Sequence, residues 1–549
     1  MEPGLNSALR TPRFKRIDTP GEIRFLSRSM TDEKRQFDFS FLEPFRRYVP
    51  LAAWVIVILL LLVIPLKIIG YGYLPQDDAL RHAAKAVSGK PWSAIMVLNP
   101  VYKIDVEFGW DFLLRQIYLR TGCSAEMLVI FSVVTLFVLA NWAALPWLKR
   151  PEAWLAAVVL SSLVFGLTAR LLYGRPFAIT VTAVTVILLL WQRRPTAPPT
   201  WRTAAGMTAL IALAVFFHDV WYLWVLLIGS FFLARQFRWG LALAAAWVAG
   251  TVLGALLTGH PVEYPMQAIT VALRALGMHE ISRTLVSELQ PGGGNFFALL
   301  LLGGLIVLRR LTGLDAPVLS RHPAFWLAAL GWVLGCENSR FWDDWGAPAL
   351  LVLMAGDLQL FFEKQFAADS FQRLALVCGL ALTTYAVTTN DANSRWTGNL
   401  TRQYLTPDNP DLKGWLPEKG GIIYSADMTI FYQTFYKNPK ADWRYILGFE
   451  STLMSDEDFK VYHSIMWNFG DAKAFAPWVD KMRPEDRLIT RGGRNAPPNI
   501  PQLEWEYGVS DIWIGRAPRT NAPPPPPTVP ATAPLNAPAN LAPLNNSAK

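Results

Sequence analysis

Apolar and polar positions in this chain fall into long blocks. Apolar stretches recur between residues 50 and 390, many of them close to bilayer-spanning length, whereas residues 1–48 and 391–549 read as ordinary polar sequence. The pattern predicts eleven helical spans. The first is VPLAAWVIVILLLLVIPLKIIG, 49–70, and the others fall near 127–147, 152–172, 176–192, 204–217, 220–235, 239–258, 295–309, 323–336, 346–363 and 371–390. Between the first two spans lies a long polar and amphipathic loop, 71–126. Beyond residue 390, strand-like pieces (GGIIYSAD, 420–427; RLIT, 487–490; DIWIG, 511–515) mix with a helical one (SDEDFKVYHSIMWNF, 455–469). A small α/β domain over 391–520 is expected. From Asn521 the chain is rich in Pro, Ala and Asn, with five prolines at 523–527, and such a tail cannot bury a core. The expected fold is an all-α polytopic membrane protein with a long first outer loop, followed by a small C-terminal α/β outer domain.

Charge sets the expected orientation. With the N-terminus on the cytoplasmic side, the short inner loops hold Lys149, Arg150, Arg193, Arg194, Arg202, Arg235, Arg238, Arg309, Arg310, Arg321, Lys364 and Arg373, while the outer ones hold chiefly Arg175 and Arg340. An odd number of spans then puts 391–520 outside the cell's inner (plasma) membrane. Residues 1–48 form a polar arm without the short apolar core of a signal peptide, so it is expected to stay uncleaved in the cytoplasm. The formal charge of +9 reads mainly as this orientation signal, because no run interleaves basic and aromatic residues as a nucleic-acid surface would. A composition of 52% hydrophobic and 17% charged residues, so unevenly distributed, excludes a soluble globular enzyme. Three cysteines, Cys123, Cys336 and Cys378, make no disulfide framework and no zinc spacing.

Sorted by side, the unusual polar residues gather on the outer face: Asp77 and Asp78, Arg175, His218 and Asp219, His279 and Glu280, then Glu337, Arg340, Asp343 and Asp344. Charged groups at span ends are costly unless paired or hydrated, so this clustering marks a functional site. In YGYLPQDDALRHAAKAVSGKPW a helix starts at the acidic pair, with Asp78, Arg81, His82 and Lys85 on one face by i, i+3, i+4 and i+7 spacing. Read alone, that is an N-cap followed by a solvated charged face.

The stretch DDALRHAAKAV resembles the acidic motif, commonly D-E-x-R-Y-A-E, that the GT-C superfamily of polyprenyl-phosphate-sugar glycosyltransferases carries just outside its first span, above all in the aminoarabinose and protein-mannosyl transferase branch. Two registers are open: Asp78 on the family aspartate brings Arg81, His82 and Ala83 onto R-Y-A, whereas Asp77 and Asp78 on D-E shift the arginine by one. His82 stands where the family has tyrosine and Ala84 where it has a second glutamate. CENSRFWDDWGAPALLVLMA is similar to a late outer element of the same superfamily, with Glu337, Arg340, Phe341 and Pro348 matching in order but without the histidine-lysine pair of some mannosyltransferases.

The resemblance implies transfer of a sugar from a polyprenyl-phosphate donor to a glycan, lipid or protein acceptor at the outer membrane face. Asp78 or Asp77 would be the base, Arg340 and Arg175 with Lys85 would hold the donor phosphate, and Arg81, His82, Glu337 and His218 would support them. Asp343 and Asp344 are candidates for a divalent cation, which no spacing demands. Glu107 and Asp111, four apart in DVEFGWDFLLRQIYLR, read as a shared solvated face that can approach an acceptor; Gly292–Gly294 read as a turn or lid hinge. A transporter or flippase of lipid-linked glycans and a non-catalytic assembly factor stay open as alternatives, although no internal repeat is visible and the ionisable residues sit at span ends.

Overall fold

Residues 49–66 contain no charged side chain, so Val49–Gly70 (α1) is apolar around its whole circumference, which suits a helix with no aqueous face. In the computed structural model, which describes residues 40–105, 107–164, 167–277, 296–400, 402–494 and 496–518, Ala53, Val57, Leu61, Ile64 and Ile68 turn one side of α1 into the protein. Leu51, Val55, Leu59, Val63 and Leu66 are exposed on the other. Exposed leucine and valine in a continuous stripe are what a lipid-facing surface requires.

Further helices follow at Asp78–Ser88 (α2), Trp92–Ile95 (α3), Phe108–Thr121 (α4), Ala125–Trp142 (α5), Pro151–Val164 (α6), Leu167–Leu171 (α7), Phe177–Arg193 (α8), Trp201–Phe217 (α9), Trp224–Leu233 (α10), Phe237–Leu257 (α11) and Glu263–Gly277 (α12). After them come Phe296–Thr312 (α13), Pro323–Gly335 (α14), Ala347–Gln365 (α15) and Phe371–Thr389 (α16). Most described residues of each of the eleven apolar stretches are helical. Among the described residues five helices, Glu43–Gly70, Ala125–Trp147, Phe237–Leu257, Ser339–Gln365 and Phe371–Thr389, are long and apolar enough to cross a membrane; Phe177–Arg193, Trp201–Phe217, Trp221–Leu233 and Pro323–Gly335 are apolar but shorter.

Local chemistry explains many of the boundaries. Ser124, Thr200 and Ser370 accept backbone N–H groups at the starts of α5, α9 and α16. Gly89 and Gly122, at φ +65° and +64°, end α2 and α4 in the left-handed conformation that disfavours a side chain. Where α11 crosses α9, Gly250 and Gly254 let the backbones approach: a Cβ at Gly254 would lie 2.7 Å from the Ala212 carbonyl oxygen and 2.9 Å from Val215. This is the small-xxx-small contact that apolar helices use to pack without a hydrophobic driving force.

Several of the basic residues assigned to inner loops are paired. Arg373 grips Glu152 through Nε and Nη2 (2.6 and 3.0 Å), and Arg309 grips Asp357 at 2.7 and 2.8 Å. The first loop, α2–α4, packs against the C-terminal domain. That domain is built on strands β1 (Ile422–Tyr424), β2 (Arg444–Tyr445), β3 (Arg487–Arg491), β4 (Glu504–Tyr507) and β5 (Ile512–Arg516) in the order β2-β1-β3-β5-β4. β1 runs parallel to β2 and β3, while β5 pairs antiparallel with β3 and β4. Helices Met428–Lys437 (α17), Asp456–Trp467 (α18) and Ala476–Lys481 (α19) complete it.

The two parts are joined by more than the chain. Met96 pairs in parallel with Tyr445, the Val97 N–H donates to the Tyr445 carbonyl at 2.9 Å, and the Asn99 N–H to that of Leu453 at 2.8 Å. The first loop therefore extends the free edge of β2. The described residues from Arg47 onward form one compact unit, sheet included.

Candidate functional site

Because α2 begins directly after the tight exit of α1, both its acids are held close to the helical bundle. Arg175, in the short connection between α7 and α8, reaches them from the side: its Nη2 lies 2.8 Å from Asp77 Oδ2 and its Nε 3.3 Å from Asp78 Oδ2. From within α2, Arg81 Nε donates to Asp78 Oδ1 at 2.6 Å, and from α17 of the C-terminal domain the Tyr432 hydroxyl donates to the same oxygen at 3.2 Å. Gln76, just ahead, accepts from Arg402 Nη1 at 2.6 Å. Burial opposes the charge on Asp78, but Arg81, Arg175 and His82 outweigh it and hold the carboxyl far below its usual range.

The expected solvated face of α2 is instead buried. Arg81 is 2% exposed and His82 0%, because α4 packs directly against them. Arg81 Nη2 contacts Glu107 Oε2; His82 Nε2 lies 2.9 Å from the same oxygen, and His82 Nδ1 2.6 Å from Asp111 Oδ1. Glu107 and Asp111 thus face inward onto a cation and an imidazole, which overturns their reading as a water-facing pair. The spacing of four was right for one helical face; what lies opposite that face was not visible in it. Burial and Arg81 both disfavour a charged His82, yet Asp111 and Glu107 prevail and lift it to about 9. Burial works against ionised Glu107 too, and Arg81 and His82 pull it below its ordinary value.

Beside this network is a cavity of ≈ 670 Å³ within the range of small-molecule sites, walled by the first loop, α4, the α11–α12 region and the C-terminal domain. Its lining includes Trp92, Phe108 and Phe112 with the charged Lys85, Lys103, Asp105, Asp111 and Arg115. Lys85 faces it over the Trp92 ring, 5.0 Å from the centroid, and also donates to the Lys90 carbonyl. Arg115 donates to the Ala86 carbonyl at 2.6 Å, closing the C-terminal end of α2.

The second motif forms its own cluster. A wide helical turn over Trp342–Gly346 precedes α15. In it Asp344 Oδ1 accepts from Arg170 Nε at 2.9 Å, Asp344 Oδ2 lies 3.4 Å from Arg340 Nε, and Asp343 is 3.7 Å from Arg170. Arg170 and Arg340 thus pair with the two oxygens of Asp344, and Arg170 also faces Asp343. Among the described residues no group of three or more His, Cys, Asp or Glu could hold a metal ion.

His218 is buried with its Nδ1 3.2 Å from Thr180 Oγ1, and Glu337 is exposed. His279, Glu280 and Gly292–Gly294 lie outside the described residues.

Sequence reasoning passed over Arg170, Tyr432 and Glu450. Glu450 follows β2; burial raises its pKa with Asp78 adding to the rise, while Arg340, the Thr452 hydroxyl and Arg81 oppose it, so residues of both motifs act on it. Burial also lifts Asp219, helped by Glu107 and Glu450, to about 8. No family model matches the sequence, and no curated protein matches it either.

Proposed function

We propose that this protein is an integral membrane glycosyltransferase of GT-C type, with eleven spans, a cytoplasmic N-terminus and an outer C-terminal domain. It moves a sugar from a polyprenyl-phosphate donor to a glycan, lipid or protein acceptor. The observation that carries this reading is the convergence of the acid motif, Arg175 and the C-terminal domain's Tyr432 at one end of the bundle, beside a cavity lined by both charged and aromatic groups. The order of the motifs along the chain, quoted above, supports it as well.

In the proposed reaction the acceptor hydroxyl or amine attacks the anomeric carbon, the bond from that carbon to the phosphate oxygen breaks, and polyprenyl phosphate leaves. A carboxylate of the first loop takes the acceptor's proton. Arg340 and Arg175 supply planar, permanently charged donors for the developing phosphate charge. Lys85, on the cavity wall and 5.0 Å from the Trp92 ring, adds a point charge there.

The test is transfer by purified protein from a panel of undecaprenyl-phosphate sugars, with Arg175→Ala, Asp77→Asn and Asp78→Asn beside wild type. Consumption of a donor by wild type and a fall of about 100-fold or more in the variants is expected. No consumption of any donor refutes the reading. A transporter is the second reading, favoured by Asp357, which is buried midway along α15 and paired with Arg309. Movement of lipid-linked glycan across vesicles without a change in its sugar would establish that reading.

A further inference from the structure

Asp78 is a poor proton acceptor as it stands, because Arg81 and Tyr432 occupy one oxygen and Arg175 faces the other. A second pair of carboxyls lies on the cavity wall. Asp111 is 6% exposed; its Oδ1 is taken by His82 at 2.6 Å, while its Oδ2 is a buried atom that no hydrogen bond satisfies as an ionised group. Asp105, half-buried, lines the same cavity and interacts with the Asp111 side chain. One Asp105 oxygen accepts the Glu107 N–H at 3.2 Å. Two carboxylates in such contact cannot both stay ionised cheaply, and a proton on Asp105 would satisfy the orphaned Asp111 oxygen. Both side chains line the ≈ 670 Å³ cavity.

Building on the transferase reading, we infer that Asp105 is the group that takes the acceptor's proton, with Asp111 as the positioning residue that makes it basic and His82 holding Asp111 in place. The ionised form of Asp105, populated as pH approaches 8, is the active one: the acceptor's O–H or N–H bond breaks, its electron pair forms the new bond to the anomeric carbon, polyprenyl phosphate leaves with the electrons of the old bond, and the proton goes to Asp105. The acceptor lies in the first-loop cavity, where Trp92, Phe108 and Phe112 offer apolar faces to a sugar ring. Burial first, then the neighbouring Asp111, raises Asp105 to about 8 against the opposing pull of Lys85 and Arg81, near the pH at which a general base works best.

Two measurements on the full-length protein test this. In infrared titration, the difference between wild type and Asp105→Asn shows a carboxylic-acid carbonyl band at pH 6.5 that is lost near pH 8, the subtraction removing the contribution of Asp219, which is lifted to about 8 as well; in the Asp111→Asn background the same difference band is lost at lower pH because the negative neighbour is gone. Absence of that difference band overturns the inference. In turnover with the undecaprenyl-phosphate sugar that wild type consumes, Asp105→Asn lowers kcat by about 100-fold or more, and Asp111→Asn shifts the acid limb of kcat/KM to lower pH. A purely structural role for Asp111 leaves that limb where it is and overturns the assignment. Full turnover by Asp105→Asn with loss in Asp78→Asn overturns the base while the transferase stands. If wild type consumes no donor, the transferase reading falls and the catalytic role of Asp105 falls with it.

Discussion

At the scale of single residues, the informative feature is that Arg81 and His82 have no water to fall back on. A buried guanidinium flanked by Asp78 and Glu107 is tolerable only while both partners remain, since breaking a buried pair leaves an uncompensated charge. Arg81→Met is expected to cost about 3–5 kcal/mol, read as a fall in the midpoint of thermal unfolding in detergent. pH acts on the same residues. His82 is lifted from 6.5 to about 9, so its contribution to stability is whole below pH 6.5 and lost as pH rises through about 9. Asp105, lifted from 3.8 to about 8, works in the same direction, with its contribution complete below pH 3.8 and gone above about 8. Asp78 and Glu107 are held low, so theirs is present above their ordinary values and is lost as pH falls further. The melting temperature should decline from about pH 6.5 to about pH 9, and His82→Gln should flatten that decline; an unchanged slope in the variant would refute the link.

Among elements, α9 and α11 approach each other closely. Gly254 and Gly250 leave no room for a side chain: a Cβ at Gly250 would meet Ile211 and the Thr208 carbonyl oxygen at 2.9 Å. Gly254→Val should destabilise the bundle by about 1–3 kcal/mol. Gly303→Val on α13, with nothing within 4 Å of its Cβ position, should leave the melting temperature within a degree or two of wild type by this steric term. Equal effects from the two substitutions would show that helix propensity, not approach distance, governs these positions.

For the whole molecule, the decisive contact is the docking of the C-terminal domain on the first loop. Tyr432 to Asp78, Val97 to Tyr445 and Asn399 Nδ2 to the Leu74 carbonyl at 3.0 Å tie residues more than three hundred positions apart. Tyr432→Phe removes a hydrogen bond to a charged group and should cost about 1.5–3 kcal/mol. Hydrogen exchange in 73–99 should rise while that of α9 and α11 stays as it was. If exchange rises equally throughout, the domain is not a separate brace on the loop but one cooperative unit with the bundle.

The sequence by itself determined the helical blocks and the strands β1, β3 and β5, because those follow from periodicity and from nearest neighbours in the chain. It also marked Asp77, Asp78 and Arg175 as unusual, since charge beside an apolar block is visible locally. Only the tertiary structure decided what Arg81, His82, Glu107 and Asp111 face. Helical spacing says which residues share a face, but not whether that face meets water or another helix. It likewise gave no sign of the two-residue β2, whose strand character comes from its partners β1 and Met96. Nor did it show that Tyr432 and Glu450 approach the acid motif, a matter of how one folded part packs on another.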